Sequence, residues 1–403
     1  MSEAFTVAPL PDVDGTKQLD ARFGRVVVGM SAREAAALDP SSAEAEALRR
    51  LLFTHSLLLF KGGFVPPQDQ LAVTRLFDPT APGVYGHESN HNKHQQSVLH
   101  PDLKTCPSVP QVQVIGNGFV AEHEGLKDIT LRHPHHKTFH RDPVSQEDED
   151  RGITRFYRWH IDSALYDLCT PIATTLQAVS VPKGPKQVAR YDDGSGDEVS
   201  VPLGGTTFIS GAKAFDILPP HLKSLAVRTK IKYAPHPYVW MSSAKARPDG
   251  LGMYSEGKEL PLTDLPPWTE EKIKLLPMTW KNPATCNLHL QVHPSAIMEI
   301  HVEPVPADAA FTSEDIFPAG TIITDLGEAR EFVRRLQRPA IAPEYVYAHD
   351  WEEGDFVIFH NRGVLHSVVG AFKPDQVRIF HQCNLASSTD PVGPSTEDVT
   401  TFC

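Results

Sequence analysis

The stretch Arg155-Phe-Tyr-Arg-Trp-His-Ile-Asp162, taken with Asp350-Trp-Glu-Glu-Gly-Asp-Phe-Val-Ile-Phe-His-Asn-Arg-Gly-Val-Leu-His366, decides how this chain is read. The first is aromatic and extended, and it ends in His160 and Asp162. Two residues at i and i+2 of an extended segment point the same way. The second enters a polar turn at His360-Asn361-Arg362-Gly363 and leaves it on a segment carrying His366. Two histidines and one carboxylate on one face bind a divalent metal and leave coordination positions open, the donor set of non-heme Fe(II) oxygenases. His160, Asp162 and His366 are therefore the candidate metal ligands and catalytic centre. Arg378 follows His366 on the next strand-like run, where a guanidinium can bind the far carboxylate of 2-oxoglutarate as a charge-assisted, bidentate pair.

A bare His-x-Asp carries little weight, and two others occur, His100/Asp102 and His140/Asp142. Pro101 interrupts the first, removing a backbone donor. The second lies in a polar, proline-rich stretch with no period. Only the third lies in a strand-like run. Downstream, Val377-Arg-Ile-Phe-His-Gln-Cys-Asn-Leu385 puts Arg378, Phe380, Gln382 and Asn384 at alternate positions, hence on one face. Upstream, Gln111 and Gln113 repeat the amide theme. Such a face is poor apolar core and a good lining for a polar pocket.

The remaining pattern predicts many short strands and few helices. Strands are expected at Arg25-Val-Val-Val, Ser56 to Phe60, Val109 to Ile115, Ile172 to Val181, Gly205 to Ser210 and Phe356 to Phe359. Helices are expected over 43–53 (capped by Ser41 or Ser42), 68–77, 219–229 and 326–336. Residues 79–105 and the charged segment 121–152 read as loop or lid, and 304–335 as an insertion. This pattern predicts a mainly β double-stranded β-helix, a cupin-like jelly roll with flanking helices and insertions. We expect one dioxygenase domain over 1–403, with its core at about 20–390 and a C-terminal tail at about 388–403.

Composition narrows the partners. The 403 residues carry a formal net charge of -12 and show no basic stripe, which argues against nucleic acid. The five cysteines, at 106, 169, 286, 383 and 403, have no paired spacing. They fit a reducing, cytoplasmic setting better than a disulfide framework. No signal peptide and no membrane-spanning run is read. The partner expected is a small molecule, and a homo-oligomer is left open.

The order His-x-Asp, Gly204-Gly-Thr-Thr207, Asn361-Arg362 before His366, then Arg378, resembles the taurine dioxygenase group of Fe(II)/2-oxoglutarate oxygenases. Within it, Tyr157-Arg-Trp-His-Ile-Asp-Ser-Ala-Leu-Tyr166, Val181-Pro-Lys-Gly-Pro-Lys-Gln187 and Arg190-Tyr-Asp-Asp-Gly-Ser-Gly-Asp197 resemble fungal 2-oxoglutarate-dependent xanthine hydroxylase. So does Val346-Tyr-Ala-His-Asp-Trp-Glu-Glu-Gly-Asp355. The resemblance implies Fe(II), with 2-oxoglutarate and O2 as co-substrates. It implies that Thr207 joins Arg378 in binding 2-oxoglutarate, and that xanthine is hydroxylated at C8 to urate with release of succinate and CO2, a step of purine catabolism. It further implies substrate contacts from Gln111, Gln113, Gln382 and Asn384, from an acidic pair (Glu147 and Asp148, or Glu149 and Asp150), and from a lysine. Lys137 is the choice for the lysine, with Lys127 and Arg132 open. Two rivals are a sulfonate or other small-acid 2-oxoglutarate dioxygenase, which needs a cationic pocket for its substrate, and a non-catalytic metal-binding jelly roll.

Overall fold

The structure, a computed structural model, describes residues 5–11, 17–20, 22–84, 104–307, 316–373 and 375–403. His100 and Asp102, and most of the loop expected over 79–105, lie outside the described residues. So does part of the 304–335 insertion.

The framework is two facing sheets. The larger has nine strands, and its central members are Leu57–Phe60, Phe356–His360, Ala173–Ser180, Arg378–Asn384 and Val109–His123, in that spatial order. The smaller is ordered Tyr347–His349, Thr206–Ser210, Val364–Val368. Alternation explains what lies between them. Leu57, Leu59, Leu176, Val357, Phe359 and Phe380 from the large sheet meet Phe208, Val364 and Tyr347 from the small one. Two sheets packed this way, antiparallel except where Arg25–Val28 runs parallel to Leu57–Phe60, are the jelly-roll arrangement expected, with helices outside it.

Helix Ala43–His55 starts at Ser42, whose hydroxyl accepts from the Ala45 amide. It ends at Ser56, held at φ 62°. It packs Ala45, Leu48 and Leu52 on the outer side of the large sheet, with helix Pro67–Phe77 beside it. A third and larger core contains Trp159, Tyr233, Tyr238, Trp280 and Val333. Much of it comes from residues 229–302, where strands Thr229–Tyr233, Leu275–Pro277 and Ile297–Val302 form a further sheet, and from helix Leu326–Gln337, with Phe156, Trp159 and Ile161 of the metal-ligand segment packed into it.

One expectation is corrected. Residues 121–152 are not a long loop. Val109–His123 runs straight into a hairpin with Leu126–Leu131. Glu124 (φ 46°) and Gly125 (φ 83°) form the turn, both in the left-handed region that a two-residue hairpin connection requires. Lys127 and Asp128 sit exposed on the outer strand, where they oppose edge-to-edge association, and most of the other charges lie in and around the short helices that follow. Short helices His136–Phe139 and Gln146–Asp150 follow. Among the described residues no helix is long and apolar enough to cross a membrane.

Candidate active site

The segment carrying His160 and Asp162 is less regular than a strand. It leaves the two-residue strand Ile153–Thr154 and touches the small sheet through single bridges, Phe156 to Val369 and His160 to His366. The His160 and His366 amides each donate to the other's carbonyl, at 3.0 and 3.1 Å. That exchange sets the two imidazoles side by side, with ring centroids 4.1 Å apart.

Asp162 is fixed from three directions. The Asn361 side-chain oxygen accepts from the Asp162 amide at 2.9 Å, and its nitrogen donates to the Asp162 carbonyl at 2.7 Å. The Thr174 hydroxyl and the Gln382 amide both donate to Asp162 Oδ2, at 2.9 and 3.0 Å. Oδ1 is left toward the histidines, 3.6 Å from His160 Nε2 and 3.7 Å from His366 Nε2. His160 Nδ1 donates to the Arg158 carbonyl at 2.9 Å, which fixes the tautomer and leaves the Nε2 lone pair free. Burial, then the nearby charges of His366 and Arg158, holds the His160 pKa well below its ordinary value. Burial lowers that of His366 as well. Both rings are therefore neutral at pH 7, the state a metal ligand needs. The three donor atoms lie within 4.8 Å of one another. Two neutral imidazole nitrogens and a carboxylate oxygen so oriented fit a divalent first-row metal.

A second group, His135, His136 and Glu149, has similar spacing. There the carboxylate is already matched. His135 Nε2 lies 2.7 Å from Glu149 Oε1, and the Lys137 ammonium binds Oε2. The other sequence motif is no metal site either: His140 Nε2 lies 2.8 Å from the Tyr157 carbonyl, and Asp142 pairs with Arg141.

Arg378 lies on the inner face of its strand, 2 % exposed, with its guanidinium 3.6 Å from the centre of the Phe380 ring. Its Nε donates to the Gly204 carbonyl at 3.3 Å. Among the described residues no carboxylate pairs with it. Burial pulls its pKa down to about 9. Arginine keeps its proton at neutral pH, so the cost falls on the folded chain until an anion arrives. Gly116 makes this position possible. It faces Ile379 in register, and a Cβ there would lie 1.8 Å from the Arg378 carbonyl oxygen.

The amide face forms as alternation predicts. Gln382 pairs in register with Gln113 on one side and Leu176 on the other, and Asn384 pairs with Thr174. Asn384 is fully buried, and neither its oxygen nor its nitrogen has a hydrogen-bond partner. Gln113 is also buried, while Gln111 donates to the Gly83 carbonyl at 3.2 Å. Gln382, expected as a substrate contact, gives its amide nitrogen to Asp162 instead, so one of its two polar ends positions the carboxylate.

The remaining expected residues sit apart. Thr207 faces away from the site. The register pairs Thr206 with Val368, Thr207 with Ser367 and Phe208 with His366. Thr206 and Phe208 therefore share the His366 face and Thr207 takes the other, where its hydroxyl donates to the Ser367 carbonyl at 3.0 Å. The Thr206 hydroxyl accepts from Trp351, and Trp351 packs on Phe380, beneath Arg378. Glu147 is exposed, and Asp148 pairs with Arg151 and Arg190. Lys137 is held by Glu149 and by Gln146 Oε1 at 2.8 Å. Among the described residues, no hydrogen bond or ion pair joins these three to the triad or the amide strand. Sequence reasoning passed over Asn361 as a clamp on Asp162 and Arg158 as a buried cation beside His160. The only signal for either was its place within the motif.

A jelly roll with two histidines, one aspartate and an inward arginine is the arrangement of a 2-oxoglutarate-dependent oxygenase. The chain belongs to the taurine catabolism dioxygenase TauD, TfdA family, whose model matches residues 15–384. It is 51 % identical over 398 residues to the alpha-ketoglutarate-dependent xanthine dioxygenase of Neurospora crassa, covering 97 % of this chain and 89 % of that one. It is 51 % identical over 385 residues to the xanthine dioxygenase of Emericella nidulans (95 % and 97 %). It is 47 % identical over 400 residues to that of Schizosaccharomyces pombe (99 % and 92 %). Among solved structures, a taurine dioxygenase from Burkholderia xenovorans superposes with a TM-score of 0.55 at 17 % identity, over 99 % of this chain and 98 % of that one, which bears on the fold alone.

Proposed function

We propose that this chain is an Fe(II)- and 2-oxoglutarate-dependent dioxygenase that hydroxylates xanthine at C8, giving urate, succinate and CO2. One observation carries the reading. A fully buried amide, Asn384, has both its donor and its acceptor unmet next to Thr174, which itself donates to the Asp162 carboxylate. Such a group costs folding free energy unless a ligand with complementary acceptor and donor completes it. Xanthine offers carbonyl acceptors and ring N–H donors, and the chain is half identical to two fungal xanthine dioxygenases over nearly its full length.

His160, Asp162 and His366 would hold the Fe(II), whose role when bound is activation of O2 for attack on a C–H bond. Arg378 takes the far carboxylate of 2-oxoglutarate and leaves the phenyl face of Phe380 beneath it. Thr206, on the same inner face, is the threonine best placed to assist. Thr174, Gln382 and Asn361 keep Asp162 aimed. Asn384, Gln113 and the free oxygen of Gln382 orient the purine by its polar edge, so that one carbon faces the metal. A pocket of this kind rejects purines that leave its amides unpaired. The five cysteines are all free, which supports a reducing, cytoplasmic setting for this step of purine catabolism.

One observation favours a second reading. Arg158 is a buried cation near the triad, as a sulfonate or carboxylate substrate would need. A substrate panel separates the two. Protein reconstituted with Fe(II) and 2-oxoglutarate is given xanthine, hypoxanthine or taurine in air, and succinate is measured. Xanthine-dependent succinate with urate is expected. Taurine-dependent succinate with none from xanthine would overturn the proposal.

A further inference from the structure

The buried arginines differ in how their charge is met. Arg155 pairs with Asp192, and Arg330 with Glu259. Arg228 donates to three backbone carbonyls. Arg378 has the Gly204 carbonyl and the Phe380 ring. Arg158 has less than any of these. It is 5 % exposed, its Nε and Nη1 have no hydrogen-bond partner, and among the described residues no carboxylate pairs with it. Its guanidinium carbon lies 5.2 Å from the centre of the Tyr238 ring. Tyr238 leads back to the triad, since its ring packs on His293, and His293 on His160.

The backbone of Arg158 is committed to the site. Its carbonyl fixes the His160 tautomer, and its amide donates to Ser367 Oγ, next to His366. These two bonds fix the Arg158 main chain between the two histidine ligands, so its side chain starts from a set point beside the metal-binding residues. A desolvated cation with two donors unmet is a costly feature of a folded chain. It persists where function supplies the counter-charge.

That counter-charge is not accounted for by the rest of the site. On the reading given above, a divalent metal on Asp162 and a dianionic co-substrate on Arg378 cancel one another, and Arg158 is left in excess. We infer that Arg158 is a specificity-determining residue that binds an oxypurine as its monoanion, the guanidinium meeting the N–C–O edge from which a ring proton has been lost. Xanthine suits this role, because two carbonyls beside its ring N–H groups make it the more acidic partner when compared with hypoxanthine. A planar fork of donors matches such an edge in two places, as it matches a carboxylate. The inference rests on the proposed function and adds the ionisation state of the substrate and the group that selects it. The same chemistry could come from the metal-binding carboxylate of 2-oxoglutarate, and the test separates the two sources.

The test uses the full chain loaded with Ni(II) in place of Fe(II), so that binding is read without turnover. Calorimetric titrations give Kd for xanthine in the presence of 2-oxoglutarate, and for 2-oxoglutarate alone, in wild type, Arg158→Lys and Arg158→Met. For Arg158→Met we expect the xanthine Kd to rise roughly 10- to 100-fold, the range of a charge-assisted hydrogen bond, with the 2-oxoglutarate Kd unchanged. Arg158→Lys, which keeps the charge and loses the fork, falls between and is read the same way if the methionine variant does not fold. An unchanged xanthine Kd in either folded variant overturns the inference. A weakened 2-oxoglutarate Kd with xanthine unaffected overturns it as well and assigns Arg158 to the co-substrate. Wild-type protein that binds taurine and not xanthine overturns the proposed function, and this inference with it.

Discussion

Replacing Asn384 by leucine should weaken xanthine recognition while leaving the unliganded fold as stable as before, or more so. The side chain is fully buried with two unmet polar atoms, and its neighbours on the strand ladder are Thr174 and, two pairs along on the same face, the Gln382–Leu176 pair. An unsatisfied buried polar group costs about 1–3 kcal/mol. Leucine has nearly the shape of asparagine and carries no polar atom, so removing the unmet amide should stabilise the apoprotein by at least ~1–3 kcal/mol, the cost of one such group, less whatever misfit the branched end introduces. The same change removes the amide that would meet the purine, about 1–3 kcal/mol of recognition, or roughly 5- to 150-fold in KM for xanthine. The iron site and Arg378 are untouched, so 2-oxoglutarate dependence should stay, with succinate increasingly uncoupled from urate. Chemical denaturation of the apoprotein and steady-state kinetics read the two halves. A variant that loses stability while keeping wild-type xanthine kinetics would refute the reasoning, because Asn384 would then be a satisfied structural amide.

Other outcomes follow from the same geometry. Arg378→Ala should raise the KM for 2-oxoglutarate by roughly 10- to 100-fold, from the loss of a charge-assisted pair worth about 1.5–3 kcal/mol, with a smaller change for xanthine. An unaltered 2-oxoglutarate titration would assign that carboxylate elsewhere. Thr206→Val should disturb 2-oxoglutarate binding more than Thr207→Val, because only Thr206 shares the face of His366. The opposite order of KM values would place the sheet in another register. Asn361→Ala should lower Fe(II) affinity by about 10- to 100-fold, the usual effect of removing a group that orients a ligand, and competition with a metal chelator measures it. His140→Ala, at the second His-x-Asp motif, should leave that affinity as it was. Gly116→Ala should be strongly destabilising, since its Cβ would meet the Arg378 carbonyl at 1.8 Å. A melting temperature within a degree of wild type would show that the strands part easily.

Much of the site was legible because its logic is local. His160 and Asp162 are two apart, and so are Gln382 and Asn384, so alternation alone gives each pair a common face. The strands that carry them announce themselves by runs such as Phe356 to Phe359. What depends on register was harder. Thr206 and Thr207 are adjacent, and only pairing with Val368 and Ser367 decides which one faces inward. Partnership was harder still. Nothing in the sequence says that Asp148 is taken by Arg151 and Arg190, or Lys137 by Glu149. Nor does it say that Arg158 is met by no acid among the described residues, for that is a property of everything packed around it. Charge density over 121–152 suggests a solvated loop, whereas a two-residue turn at Glu124 and Gly125 starts it as a hairpin with an exposed outer strand and two short helices follow.

The central claim is that one metal site couples consumption of 2-oxoglutarate to oxidation of xanthine. A single-turnover experiment tests it most directly. Protein in excess is loaded anaerobically with limiting Fe(II), 2-oxoglutarate and xanthine, mixed with O2-saturated buffer, and quenched for analysis of both products. The account predicts urate and succinate in equal amounts from wild type, and neither from Asp162→Ala. Succinate without urate from wild type, or urate formed without 2-oxoglutarate, would contradict it.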